Sequence, residues 1–375
     1  MGVYKGGRIM KKYMTLFMKK ILKKRGYSEY YAKKTVSYIY KDLFQNKNTT
    51  IKEKIWAYKR GFLSSKIRTY GLTEDNYKFY LSDFDYYKLH PLNNTYTKWI
   101  DDKLTTRYIL SPFKEHLIKH YLHINNNKDI IPLSDIDQFE YIDVEGIMKL
   151  LDKEKKLAFK PESGSGGKGF YKLLLEDGKY LINDEVVEKD DIVNFISSLK
   201  NYLITEYVVG HNSLRKINDK SLNTIRIMVV KEGSLSWIIP NAFIRFGTSK
   251  TGTVDNITAG GIFALIDVDT GMYSDAKTLK EDGSVQNYEI HPDSKVKIEG
   301  YIPNWEFVKN KVIEMCKYMS ELNYLGFDVA ITEDGFKVIE INSHQNIRAF
   351  QVYSPLLKDN RATEYFKSAL SFKCK

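Results

Sequence analysis

Asp328, Glu340 and Asn342 carry side chains suited to holding a hard cation, and their spacing lets one hairpin bring them together. Two apolar runs, 325–331 and 336–341, flank a three-residue loop, Glu333-Asp334-Gly335, in which a terminal glycine suits a position needing positive φ. That loop predicts Thr332 opposite Phe336, and counting back along both strands puts Asp328 opposite Glu340. Asn342 then shares their face, because strand side chains alternate with a period of two. Like charges facing each other across a ladder repel, so an apolar hairpin tolerates the pair only with a cation between them. Magnesium fits, since it takes oxygen from one or two carboxylates and completes its shell with water and phosphate. A solvated hairpin face with ordinary surface acids would satisfy the same pattern, so the assignment leans on a second segment.

That segment is Glu162-Ser163-Gly164-Ser165-Gly166-Gly167-Lys168-Gly169. Its glycines let the backbone approach an anion and aim amide groups at phosphate oxygens, and Lys168 adds a mobile positive charge. The segment contains a literal G-x-G-x-x-G, but a dinucleotide site needs a helix to follow. Here residues 170–175 and the turn Asp177-Gly178 predict a hairpin strand instead. A P-loop needs Ser or Thr after its lysine, and Gly169 follows Lys168. What remains is a glycine flap between two strands, as in protein kinases, although the kinase H-R-D and D-F-G signatures are missing. An ordinary glycine loop would explain the segment taken alone.

The elements that must position these groups follow from periodicity. Residues 27–89 place apolar side chains at mixed spacings among many tyrosines, which predicts short helices, and Pro91 with Asn93-Asn94-Thr95 predicts a boundary. The run Asn125-Asn126-Asn127 before Pro132 predicts a loop. Val144, Ile147, Met148 and Leu151 recur at helical spacing and lead into a strand over 157–160. Further strands are predicted at 170–175, 179–187, 202–208, 223–230, 235–246 and 261–268, with helices at 191–199 and 305–322. The order is mixed α+β with antiparallel hairpins, not a doubly wound sheet.

Charge and composition exclude several function classes. The chain has 375 residues, 43% of them hydrophobic, enough for two or three subdomains with filled cores. Residues 1–44 hold twelve Lys or Arg against Glu29 and Asp42, so this stretch carries +10 of the formal +11. The rest is close to neutral, which argues against nucleic acid as a partner. Within the basic stretch Met14, Phe17, Met18, Ile21 and Leu22 follow helical spacing, with most lysines opposite. Such a helix could rest on an anionic membrane surface or a polyanionic glycan, or simply dock on its own domain. Cys316 and Cys374 form no disulfide or zinc pattern, which predicts a reducing compartment. No apolar run is long enough to span a bilayer. The expectation is therefore a cytoplasmic protein, with residues 1–44 offering peripheral attachment to the inner face of the membrane.

Taken in order, five features resemble the ATP-grasp superfamily over about 102–342: Asp102-Lys103 opening a Leu-Thr-Thr-Arg segment, Phe159-Lys160-Pro161, the flap at 164–169, Thr205-Glu206-Tyr207-Val208, and the Asp328, Glu340, Asn342 hairpin. The resemblance implies an ATP-grasp fold in which two α+β subdomains sandwich a nucleotide. It implies that Lys103 and Lys160 touch phosphates beneath the flap, and that the Glu206-Tyr207-Val208 segment meets adenine through Glu206 and the Val208 backbone. The ribose partner would come from His211, Asn212 or Ser213. Asp328, Glu340 and Asn342 would hold magnesium, as one ion or two. The layout it suggests is a basic, mainly helical region at 1–95, an ATP-grasp domain at 96–345 and a helical tail at 346–375. Within that domain, about 145–210 would bind nucleotide and about 211–345 would bind metal and substrate.

Residues 221–227 and 242–247, then Val254-Asp255-Asn256 and Gly260-Gly261, look like the branch of this superfamily associated with sugar transfer and surface polysaccharide synthesis. This resemblance implies a carboxylate-amine ligase that works through an acyl phosphate and joins an amino acid or amine to a sugar acid. Arg226 or Arg245 could grip the substrate carboxylate with a planar fork and steady the acyl phosphate. Ion pairing on a strand face is the plainer role for either arginine. A phosphotransferase with the same nucleotide site, or a noncatalytic glycan-binding scaffold, are the competing functions.

Overall fold

The computed structural model describes residues 15–136, 142–162 and 166–373, apart from the side chain of residue 373. Ser163, Gly164 and Ser165 of the flap, Met14 and Cys374 lie outside the described residues. Two antiparallel sheets dominate. The first has seven strands: β1 (His120–Ile124), β2 (Ile130–Pro132), β3 (Lys156–Pro161), β4 (Tyr171–Glu176), β5 (Lys179–Ile182), β6 (Glu185–Val187) and β7 (Tyr202–Glu206), in the order β2-β1-β7-β3-β4-β5-β6. The single strand expected over 179–187 is broken into β5 and β6, because Asn183 and Asp184 both take positive φ in a two-residue turn. The helices Val144–Glu154 and Lys189–Ser198 bury Ile147, Met148, Leu151, Ile192 and Ile196 in the core formed with Leu157, Phe159 and Leu173. Asp143 caps the first of these helices by accepting from Gly146 N at 2.7 Å.

The second sheet contains β8 (Thr224–Lys231), β9 (Trp237–Phe246), β10 (Ile262–Ile266), β11 (Met272–Leu279), β12 (Val285–Tyr288), β13 (Gly300–Tyr301), β14 (Tyr324–Thr332) and β15 (Gly335–Asn342). Their order is β12-β11-β10-β9-β8-β14-β15, with β13 beside β11. Strand alternation divides this sheet into two chemically different faces. Ile225, Ile227, Phe327 and Val329 join Val308, Val312 and Met315 of the helix Trp305–Tyr318 in one core. Met228, Val230 and Tyr324 on the other face join Tyr86, Leu89, Phe350 and Phe366 in a second core. Thr224, Arg226 and Asp328 share this second face, so the sheet that is oily along part of it becomes ionic along the rest.

The N-terminal helical region is built into that second face. Asn93, expected to mark a boundary, is buried: its Nδ2 donates to Tyr324 O at 2.7 Å and its Oδ1 accepts from Tyr324 N at 3.0 Å. Gln351 accepts from Leu81 N at 2.7 Å and donates to Leu81 O at 3.0 Å. The basic helix, over residues 15–24, departs from its expected orientation. Met18 and Leu22 are half-buried, whereas Phe17 and Ile21 are exposed beside Lys20 and Lys24. Lys19 and Lys23 both pair with Glu29 at the start of the helix Glu29–Phe44 in this orientation.

The hairpin of β14 and β15 reaches the expected pairing by another route. Its turn has two residues, Glu333 and Asp334, and Thr332 pairs with Gly335, not Phe336. Continued regularly, that register would put Glu340 on the same face as Phe336 and Val338, in the core. A bulge at Ile339 inserts one extra residue: Val329 pairs with Val338, yet Asp328 pairs with Glu340. Inward-facing parity switches from Phe336 and Val338 to Ile341, and Glu340 and Asn342 turn outward. Inserting one alanine directly after Ile339 shifts the parity beyond the bulge by one and should return both polar groups to the core face, burying a carboxylate and an amide without partners. Thermal unfolding followed by circular dichroism is expected to show a much lower midpoint or no cooperative transition; an unchanged midpoint would contradict the bulge.

Candidate active site

The two sheets enclose a cavity of about 450 Å³, within the range of small-molecule sites. The end of β3 contributes Lys160, the described part of the flap contributes Gly166, Gly167 and Lys168, and Lys103 enters from its own helix. The second sheet contributes Arg226, Arg245, Asp328, Glu340 and Asn342. Residues that the sequence spreads over 240 positions therefore share one wall-to-wall site. The loop at 253–258 and the segment His344-Gln345-Asn346 close its far end.

Local structure explains these placements. Asp102 caps the helix Lys103–Ile109 by accepting from Thr105 N at 2.7 Å, which sets Lys103 on the first turn with its ammonium 3.9 Å from Glu340 Oε1. Burial, and then the neighbouring Lys103, pushes Lys160 down to about 8. Two ammonium groups thus line one space, and Lys160 has no ion-pair partner among the described residues, a setting that favours a polyanion. Burial, and then the charge of Asp328, raises Glu340 above the usual carboxylate range. Gly167 has φ of +75°, and a Cβ there would lie 2.5 Å from Val254 Cγ1. Asn256 Nδ2 donates to Gly166 O at 3.1 Å, so the flap rests on the loop at the cavity's far end.

The charges on the second sheet form a buried ladder. Arg226 donates from Nε to Asp328 Oδ1 at 2.5 Å and from the terminal NH2 group to Oδ2 at 2.9 Å. Arg245 brings its own terminal nitrogen within 3.3 Å of Asp328 Oδ2 and donates from Nε to Thr224 Oγ1 at 2.9 Å. Asp255, absent from the sequence-derived site, accepts from Thr224 N at 2.8 Å and from the Thr224 hydroxyl. Burial alone would raise Asp328, but the two guanidinium groups overcome it and hold the carboxyl below its ordinary range. For Asp255 burial wins, and its carboxyl is raised.

This ladder revises two expectations. Arg226 spends its planar fork on Asp328, and Arg245 spends Nε and one terminal nitrogen on Thr224 and Asp328, so neither presents a free fork to a substrate carboxylate. Asp328 in turn has both oxygens in contact with guanidinium groups. Among the described residues no group of three or more His, Cys, Asp and Glu is assembled as a metal site. Glu340 faces the cavity 3.9 Å from Lys103, and Asn342 donates its amide to Gly326 O at 3.4 Å. Glu340 and Asn342 line the cavity with oxygen atoms of the kind that magnesium takes.

Glu206, Tyr207, Val208 and His211 do not line the cavity. Glu206 accepts from Lys119 N at 3.0 Å and lies 3.5 Å from Lys337 Nζ, and His211 N donates to Ile331 O at 2.8 Å. Glu206 and His211 thereby tie the end of the first sheet to the β14–β15 hairpin. Beside them lies a space of about 30 Å³ between Ile118, His120, Val338 and Ile339, adjoining Lys103 and Glu340. Burial and nearby Lys160 push the His120 imidazole down to about 3, and its Nδ1 is buried without a partner among the described residues.

Sequence reasoning missed His344 and Gln345, whose Nε2 and Oε1 are likewise buried and unpartnered among the described residues. Their signal was only their place two and three residues after Asn342. His344 is stacked on His90 with 4.1 Å between ring centres and on Tyr31 with 5.0 Å, and Tyr86 donates to Gln345 O at 2.5 Å. The N-terminal helices thus hold the far wall of the cavity. Replacing Asp328 by Asn leaves two guanidinium groups facing a neutral amide, and should cost about 3–5 kcal/mol in urea unfolding. The double change Asp328→Asn with Arg226→Gln should recover part of that loss; wild-type stability in Asp328→Asn would contradict the ladder.

The sequence matches the family model described as sugar-transfer associated ATP-grasp over residues 85–364. No curated protein matches it. Among solved structures it is similar to the ATP-grasp ligase PsnB complexed with minimal precursor, with 13% identity over 76% of this chain and 63% of that one and a TM-score of 0.39. It is also similar to D-alanyl-alanine synthetase A from Vibrio cholerae, with 9% identity, 74% and 66% coverage and a TM-score of 0.44. For the L-amino acid ligase from Bacillus licheniformis the values are 10%, 73%, 48% and 0.39. The chain spans less than two thirds of the length of each of these three proteins. On the family match, which covers most of its length, the chain belongs to the sugar-transfer associated ATP-grasp family.

Proposed function

We propose that the protein is an ATP-dependent carboxylate-amine ligase acting through an acyl phosphate. The observation that carries this reading is the convergence of Lys103, Lys160 and Lys168 with Glu340 and Asn342 on one cavity that also holds two guanidinium groups. Phosphates would lie between Lys103 and Lys160, under the amides of the glycine flap. Glu340 and Asn342 would hold magnesium, which neutralises charge on a transferring phosphoryl group. The base would spread the apolar slot between Ile118 and Ile339, with Glu206, Tyr207, Val208 and His211 acting behind it.

In this reading a substrate carboxylate oxygen attacks the γ-phosphorus and ADP leaves. The amine then attacks the acyl carbon, and phosphate departs with the electron pair of the broken C–O bond. The chain's own contribution is positioning and charge. Among the described residues Arg226 and Arg245 each keep one terminal nitrogen outside the ladder's bonds, enough to steady an oxyanion by a single hydrogen bond. The ladder behind them prevents either from swinging away. The far wall, with Asn256, Thr258, His344 and Asn346 beside Asp255, is polar, and burial with nearby Lys34 keeps His344 neutral by pushing it down to about 3. Such a wall suits a hydroxyl-rich acceptor, consistent with joining an amino acid or amine to a sugar acid for surface polysaccharide.

Purified protein with ATP, magnesium and paired libraries of sugar acids and amines is expected to release ADP only when both substrates are present. Hydroxylamine in place of the amine should give a hydroxamate. Glu340→Gln should lower the rate by about a hundredfold or more while keeping the fold. A phosphorylated product made from one acceptor, with no hydroxamate, would replace the ligase with a phosphotransferase.

A further inference from the structure

We infer that the helix over residues 15–24 is a docking element for an anionic lipid surface. Its outward side combines two chemistries that a helix docked on its own domain would separate. Leu16, Phe17 and Ile21 are 52%, 66% and 37% exposed, and Lys20 and Lys24 are exposed between them. These five positions fall within one side of a helix of 3.6 residues per turn. The inward side is already committed, through half-buried Met18 and Leu22 and through Lys19 and Lys23 on Glu29.

Mixed apolar and lysine content on one face suits a bilayer interface. Leucine, phenylalanine and isoleucine enter the acyl boundary while lysine stems lie along the same surface and lift their ammonium groups to lipid phosphates. Charge complementarity selects the occupant, since residues 1–44 carry +10 of the chain's +11, and an anionic leaflet attracts such a segment. Apolar exposure is concentrated in the same region: of 21 exposed large hydrophobic residues among those described, seven lie between Leu16 and Ile55. A soluble polyanion would use the lysines and gain nothing from Phe17 or Leu16. No helix among the described residues is long and apolar enough to cross a membrane, so attachment would be peripheral.

The element is linked to the cavity. Helix Glu29–Phe44, to which the docking helix is pinned, carries Tyr31, and Tyr31 stacks on His344 of the cavity wall. A docked helix would hold the far end of the cavity in a fixed relation to the lipid surface, where a lipid-borne acceptor could be met. The inference does not depend on which reaction the cavity performs.

Cosedimentation of the full chain with phosphatidylcholine vesicles, with and without phosphatidylglycerol, tests it. Binding is expected only to the anionic vesicles and should weaken in high salt. Leu16→Ser, Phe17→Ser and Ile21→Ser together should lower vesicle affinity by about tenfold or more. Lys20→Glu with Lys24→Glu should remove the preference for phosphatidylglycerol. Both variants alter exposed side chains, so each should keep the wild-type thermal transition. Absence of wild-type binding, or equal binding by the apolar variant, would overturn the proposal. Heparin binding that matches vesicle binding and ignores the apolar substitutions would assign the helix to a soluble polyanion instead.

Discussion

Asp328 lies in a buried position between two guanidinium groups, and the rest of the site depends on keeping that carboxylate ionised. A lone charge so placed would be neutralised by its own desolvation. Arg226 supplies a bidentate partner, Arg245 a second contact, and Asp255 with Thr224 closes the set, so two cations and two anions balance across neighbouring strands. Such ladders give little net stability compared with apolar packing, but they are costly to break from one side. Their effect is geometric. They fix where the remaining arginine nitrogens and the outward carboxylate Glu340 stand.

Cationic groups left outside that balance define the site's chemistry. Lys103 and Lys160 crowd one end, and Lys160 is driven down to about 8 by burial and by Lys103. Among the described residues Glu340 is the acid within ion-pair reach of Lys103, and none forms an ion pair with Lys160. A bound polyphosphate with its metal would relieve both the lysine repulsion and the burial of Glu340. The far end is assembled differently, by a segment after β15 that the N-terminal helices grip through Tyr31, Tyr86, His90 and Leu81. The N-terminal region therefore belongs to the site's architecture.

Much of this was legible in the sequence, for reasons that can be named. Alternating apolar residues announced β8, β14 and most of β15, and the glycine segment followed by a strand announced a flap. The pairing of Asp328 with Glu340 was reached from a wrong turn: the expected three-residue loop and the observed two-residue turn with a bulge at Ile339 end in the same register. A bulge has no reliable signature in one sequence, because it is chosen by which side chains the sheet must bury. The partners of Asp328 were equally hidden. Strand spacing says which face a residue occupies, but not whether arginines from β8 and β9 reach its carboxylate before a metal does. Glu206 and His211 contact Lys119, Lys337 and Ile331, which only the folded chain brings near.

Membership in the sugar-transfer associated ATP-grasp family gives the fold its context, while the division of labour among the charges is this chain's own. A crystal structure grown with magnesium and a non-hydrolysable ATP analogue tests that division most directly. The account predicts phosphates between Lys103 and Lys160 beneath Gly166 and Gly167, the metal about 2.1 Å from oxygens of Glu340 and Asn342, and Asp328 still held by Arg226. A nucleotide bound outside this cavity, or a metal seated on Asp328 with Arg226 released, would contradict it.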